Sequence, residues 1–278
     1  MLNGAEDIEK IKDIVITNDA EKNVEYLAEA EAIFAGVAPV KLSHGVSFNV
    51  GVWDFLSMYR GVEEVYYDLI DRPEFLHALM RRITDATLAG IKSANELKVY
   101  NDISQTCHCS YVYTDEFLPD FGKGLGAVSQ NSWAYGLAQL FTSTSPEVTA
   151  EFELPYITEM AQQFGAIYYG CCERLDDRLD IIKKIPNLKK ISCSPWSDRN
   201  NFAEQIGKDF IISAKPTPAI FASDNFEDVA REDLETMYNA AKANGANLEF
   251  ILKDLSTVLN EPKRLNRWHE IAMEIVCK

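Results

Sequence analysis

Long apolar runs are missing from this sequence: no stretch approaches the roughly 20 consecutive apolar residues that a membrane-spanning helix needs. The opening Met1-Leu2-Asn3-Gly4-Ala5-Glu6-Asp7 also lacks the basic and apolar regions of a secretion signal. A cytoplasmic location is the expectation. Basic residues are scarce, 27 against 43 acidic ones, and the formal net charge is −16. Such a chain repels nucleic acid and anionic membranes, so neither is an expected partner. Six cysteines in 278 residues are not a disulfide framework, and the neighbours Cys171 and Cys172 cannot readily bridge to each other. They read as reduced thiols. No linker that would separate two compact domains is visible.

What is present is an ordinary globular balance, 47% apolar and 25% charged, enough for a full core. Residues 1–37 read as a helical segment, with Ile8, Ile11 and Ile14 and then Tyr26, Ala30 and Ile33 at helical spacing. Residues 38–278 read as one domain. Ala38 to Leu42 suggests a short strand running into Ser43-His44-Gly45. At Asp71-Arg72-Pro73-Glu74 a helix starts, with Asp71 able to cap and Pro73 suited to the first turn; it runs to Leu97. Ala127 to Trp133 suggests a strand whose end, with Gln130, Asn131 and Trp133, faces a ligand. Ser145-Pro146-Glu147 starts a helix that runs to Phe164 with a kink at Pro155.

Four similar units follow. Ala166 to Cys172, Leu188 to Cys193, Asp209 to Ser213 and Leu248 to Leu252 each read as an apolar strand ending in reactive or polar residues. A helix from about Asn225 to Gly245 separates the last two, and a final helix from Asn260-Glu261-Pro262 buries Leu265, Trp268, Ala272 and Ile275. Alternating strand and helix predicts an α/β fold with a parallel sheet. In such folds chemistry gathers at the carboxyl ends of the strands, which directs attention to Gly170-Cys171-Cys172-Glu173.

Two other stretches carry weaker signals. Cys107-His108-Cys109 invites a zinc reading, but structural zinc sites need four ligands and no second pair follows at matching spacing. Gly122, Gly124 and Gly126 form no phosphate loop, since neither a leading strand nor a following Lys-Ser or Lys-Thr accompanies them, and they read as a flexible loop.

Several motifs together carry a family likeness: Phe152-Glu153-Leu154-Pro155-Tyr156, Gly170-Cys171-Cys172-Glu173, Ile185-Pro186-Asn187-Leu188, Ser194-Pro195-Trp196 and Lys215-Pro216-Thr217-Pro218. With Trp53-Asp54 and Arg60-Gly61-Val62-Glu63 upstream, the chain resembles the uroporphyrinogen decarboxylase-like superfamily from about residue 38 onward. The resemblance implies a (β/α)8 TIM-type barrel, used by tetrapyrrole decarboxylases and by zinc-dependent methyltransferases that serve corrinoid proteins or coenzyme thiols. About six strands are readable, and the first two of the family's barrel have no counterpart. Neither the decarboxylases' arginine-rich segment nor the methyltransferases' His-x-Cys at the fifth strand is present.

The activity implied is methyl transfer to or from a corrinoid protein or thiol coenzyme at a thiolate-ligated Zn2+. Its expected ligands are Cys172, as the inward thiol, and Glu173, with either Cys193 or Cys171 as the third. Glu173, Lys253 and Asp254 are the expected catalytic groups. Trp133, Asn131, Tyr169, Trp196 and Lys215 are the expected substrate contacts, with Lys215 and Lys253 suited to neutralise a carboxylate. A corrinoid would come on a partner protein. The alternatives are a decarboxylase using Asp254 or Asp198, and an inactive barrel subunit. Unclosed sheet edges point to a homo-oligomer or complex.

Overall fold

The computed structural model describes residues 2–42, 46–100, 105–112, 114–117 and 127–277. His44 and the glycines at 122, 124 and 126 lie outside them. At the N-terminus a 3-10 turn, Ala5–Lys10, replaces a full helix. The next residues lie along a later helix: Ile14 N–H bonds Ala86 O at 3.3 Å, and Ile16 N–H bonds Ser93 Oγ at 2.9 Å. Helix α1 (Ala20–Ile33) is capped by the Asp19 carboxylate and buries none of its residues.

The residues from 38 to 42 form no strand, because Pro39 has no N–H to give a ladder. A few residues later Asn49 bridges Tyr135 in parallel, and Val50 N–H donates to Tyr135 O at 2.8 Å. Helices α2 (Trp53–Arg60), α3 (Val62–Asp71) and α4 (Pro73–Leu97) follow, with Gly61 at φ 103° between the first two. Pro73 does open α4. Asp71 does not cap it, however: it closes α3, and Arg72, held out of the helical region by the proline after it, takes the cap position.

A hairpin that the sequence pattern had not suggested comes next, β1 (Gln105–Cys107) against β2 (Ser110–Val112). Strand β3 (Trp133–Gly136) begins where a strand was expected to end, and Asn131 lies in a 3-10 turn before it. The helix predicted from Ser145 is α5 (Pro146–Val148), a π turn over Thr149–Glu153, and α6 (Leu154–Ala161). Pro155 can donate no bond and crowds the preceding carbonyls, which accounts for the widened turn before it.

The rest alternates as expected: β4 (Ala166–Tyr169), α7 (Leu179–Ile182), β5 (Leu188–Cys193), α8 (Arg199–Ile206), β6 (Ile211–Ala214), α9 (Phe226–Ala243), β7 (Asn247–Phe250) and α10 (Lys263–Val276). Strands β3 to β7 form a parallel sheet in sequential order. With parallel strands in sequential order, crossovers of one hand put the connecting helices on one face. There Ile167, Ile191 and Ile212 share a core with Ile182, Phe202 and Met237. Each fully buried side chain of this size contributes roughly 1.5–3 kcal/mol.

The opposite face carries Trp133, Ala166 and Tyr168 under Cys107 and Val112 of the hairpin. A second cluster joins α9 to α10 through Leu234, Trp268 and Ile271, although Leu265 is exposed rather than buried. The class is therefore α/β with a parallel sheet. Among the described residues no helix is long and apolar enough to cross a membrane.

Candidate functional site

Because the strands of the sheet are parallel, the segments that follow them leave from one edge. At the end of β4 the chain turns at Gly170, whose φ of 95° suits glycine and few other residues. The turn changes the strand's alternation, so Cys171 and Cys172 place their sulfurs 3.4 Å apart on one side. Three side chains hold it: Ser192 Oγ donates to Cys171 O at 2.8 Å, Ser194 Oγ donates to Cys172 O at 2.8 Å, and Glu173 Oε2 accepts the Cys171 N–H at 2.8 Å. A Cβ at residue 170 would meet Leu175 and Ser192 at 3.0 Å. Gly170→Ala is therefore expected to lose roughly 1–3 kcal/mol in urea denaturation, from the strained backbone alone.

The hairpin brings the other half of the site. His108 and Cys109 form its two-residue loop, with His108 at φ 54°, the left-handed geometry that tight hairpins favour. The Cys109 carbonyl accepts from Lys215 Nζ at 3.1 Å, and its sulfur lies 3.1 Å from the Tyr168 hydroxyl. Lys190 Nζ donates to Ser110 Oγ at 3.1 Å and to Tyr111 O at 2.7 Å, and pairs with Glu249 at 2.8 Å. Ser110 and Ser213 both donate to the other oxygen of Glu249 at 2.5 Å. So anchored, the loop sets ligand atoms of His108, Cys109 and Cys171 within 4.8 Å of one another.

The site's charges are arranged around Cys171. A hydrogen bond from the Cys109 thiol lowers the Cys171 pKa against the effect of burial, with help from Lys253. Cys109 moves up correspondingly, through that bond and through burial. Desolvation works to lower the Lys253 pKa, but hydrogen bonds to Cys171 and Cys172 at 2.9 and 3.1 Å more than reverse it. Burial pushes Glu173 up to about 7. Beneath the site Glu153 is pushed up to about 8 by burial, although the Tyr169 hydroxyl donates to its Oε2 at 2.8 Å. Beside the thiols lies a cavity of about 250 Å³, walled by Pro195, Trp196, Pro216 and Pro218 with Lys215 and Lys253.

Of the residues expected from the sequence, Cys171, Cys172, Lys215, Lys253, Asp254 and Trp196 do meet at this cavity. Trp196 is 76% exposed and forms its rim. The thiol of the three-residue group is Cys171, not Cys172, which instead neighbours Lys253 and Asp254. Glu173 is not in that group: its carboxylate folds back onto its own turn. Cys193 does not reach the site either. Alternation from Ser192 sends it to the helix side, 4.0 Å from Met237 Sδ, where burial pushes its thiol up to about 12.

Tyr169 likewise faces the helices through Glu153, and Trp133 walls a separate cavity with Lys190 and Glu249. Asn131 lies at the amino end of the sheet, opposite the thiols. Asp198 is occupied as the cap of α8, accepting from Asn200 and Asn201 N–H. The sequence reading missed the meeting of His108 and Cys109 with Cys171. Its signal was the Cys107-His108-Cys109 triplet, set aside for want of a second pair in sequence, when the missing ligand was 62 residues away from Cys109 along the chain.

Fold and site together define an α/β protein with one histidine and two cysteine donors gathered at the carboxyl edge of a parallel sheet. No protein-family model matches the chain, and no curated protein matches it either. The donors themselves suit a metal. Ligands around a tetrahedral zinc stand roughly 3.3–3.8 Å apart, given bonds of about 2.0–2.3 Å. Closing from 4.8 Å asks only small side-chain movements, and His108 is exposed on a loop tip that allows them. Among the described residues the group offers three ligands, His108, Cys109 and Cys171, and three protein ligands with an open fourth position are the pattern of catalytic rather than structural zinc.

Proposed function

We propose that the protein is a zinc-thiolate methyltransferase whose parallel sheet belongs to a (β/α)8-type barrel. The observation that carries the reading is the convergence of His108, Cys109 and Cys171 beside a small cavity at the carboxyl ends of the strands. Methyl transfer, to or from a corrinoid protein or a thiol coenzyme, rests on the sequence resemblance. Zinc, when bound, would supply Lewis acidity toward a substrate sulfur or oxygen.

The chain's own residues do the remaining work. A hydrogen bond from the Cys109 thiol lowers the Cys171 pKa, toward the thiolate that a soft metal takes. Tyr168, Lys190 and Lys215 fix the loop carrying His108 and Cys109, which preorganises the donors. Proline and tryptophan walls limit water around an apolar substrate body.

Elemental analysis tests the reading. Purified protein is expected to carry close to one zinc per chain, and Cys171→Ser and Cys109→Ser are each expected to remove most of it. Metal content unchanged by both substitutions overturns the assignment.

A second reading, Cys171 as a metal-independent nucleophile, is favoured by the Lys253 ammonium 2.9 Å from its sulfur. Alkylation by iodoacetamide separates the two: zinc protects Cys171 in the first, whereas its labelling rate is the same with zinc or chelator in the second.

A further inference from the structure

Lys253 is placed to do more than balance charge. Its Nζ lies 2.9 Å from Cys171 Sγ, 3.1 Å from Cys172 Sγ and 3.1 Å from Asp254 Oδ2. An ammonium has three protons and no acceptor, so these contacts use all of them. Lys215, on the same cavity, donates to Cys109 O at 3.1 Å and to Ser213 Oγ at 2.5 Å, which accounts for two of its three.

A divalent cation held by His108, Cys109 and Cys171 would draw on the Cys171 electron pairs that Lys253 shares, and would repel the ammonium as a like charge. Cys172 and Asp254 lie outside the metal group, so they still hold the lysine at the cavity. One N–H is thereby released beside Lys215. Two lysine donors facing one cavity match the two oxygens of a carboxylate, and the Pro195, Trp196, Pro216 and Pro218 walls suit an apolar or aromatic body.

We propose that Lys253 couples the metal to the substrate: metal binding displaces its ammonium from Cys171 and so completes, with Lys215, a site for a small carboxylic acid with an apolar body. The proposal rests on the zinc reading and adds to it a substrate class and an order of assembly. Only hydrogen bonds are exchanged. Coupling of this kind is reciprocal, so the carboxylate must tighten the metal by the same factor as the metal tightens the carboxylate.

The test is zinc affinity, measured by competition with a chromophoric chelator, with and without saturating benzoate, and with benzamide as the uncharged control. In the wild-type protein benzoate is expected to tighten zinc about tenfold, within the usual range of such couplings, and benzamide to leave it unchanged. Lys253→Met and Lys253→Gln are expected to keep zinc, which also reports that they fold, and to lose the benzoate effect.

Equal zinc affinity with and without benzoate in the wild-type protein overturns the coupling and leaves the zinc reading standing. A benzoate effect that persists in both variants overturns it as well, because the carboxylate then binds the metal directly. Loss of zinc from both variants overturns it too, since Lys253 would then build the metal site rather than compete for it. A wild-type protein that binds no zinc removes both readings together.

Discussion

Glu153→Gln is expected to remove most of a fall in stability that the wild-type protein undergoes between about pH 4.5 and pH 8. Glu153 is fully buried on the π turn before α6, its Oε2 bonded by Tyr169 and its Oε1 without a hydrogen-bond partner among the described residues. Burial raises its pKa from 4.5 to about 8. The folded protein therefore keeps a proton that the unfolded chain releases above pH 4.5. More protons bound in the folded state mean that stability falls as pH rises, and the fall ends once the folded group also ionises, near pH 8.

At roughly 1.4 kcal/mol per pH unit the loss is on the order of 5 kcal/mol. Glu173, raised to about 7, adds a fall in the same direction over a narrower interval. Glutamine stays neutral and can still accept from Tyr169. Urea denaturation at pH 5, 7 and 9 measures the difference: a wild-type protein as stable at pH 9 as at pH 5 would show that Glu153 is not held protonated.

The second large effect belongs to the anchor of the hairpin. Lys190→Met leaves Glu249 without its ammonium partner on the face between sheet and hairpin, where the pair's side chains are 6% and 22% exposed. Removing one member of a buried ion pair costs about 3–5 kcal/mol, because the other charge stays desolvated. The same lysine holds Ser110 and Tyr111, which immediately follow His108 and Cys109.

Stability and metal affinity are accordingly expected to fall together in Lys190→Met. The double variant Lys190→Met/Glu249→Leu is expected to recover much of the stability, since no lone charge remains. It is not expected to recover zinc affinity, since the hairpin has still lost its tether. Full recovery of both would mean that the pair serves the core and not the site.

Local pattern was a good guide wherever the decisive interactions are local. Leu188 to Cys193 is a strand with those bounds, α4 runs from Pro73 to Leu97, and a disturbance at Pro155 was expected and occurs just before it as a π turn. Each follows from side-chain periodicity or from the chemistry of one proline. The misplaced strands have equally physical causes. Pro39 spoils a run that is apolar but cannot pair, and the stretch from Ala127, mostly polar after Val128, passes through a 3-10 turn before β3 begins at Trp133.

The sequence by itself determined the alternation that makes a parallel α/β sheet, and it set a glycine beside two thiols at the turn after β4. It also contained both halves of the donor group, Cys107-His108-Cys109 and Gly170-Cys171-Cys172. Only the tertiary structure decided that these halves meet, that Cys171 rather than Cys172 joins the histidine, and that Cys193 and Glu173 stay out. The reason is that spacing along the chain constrains neighbours alone. Contact between a hairpin loop and a strand end 62 residues on from Cys109 is set by Lys190, Glu249, Ser213 and Lys215, buried polar groups that find one another only when hairpin and sheet pack together.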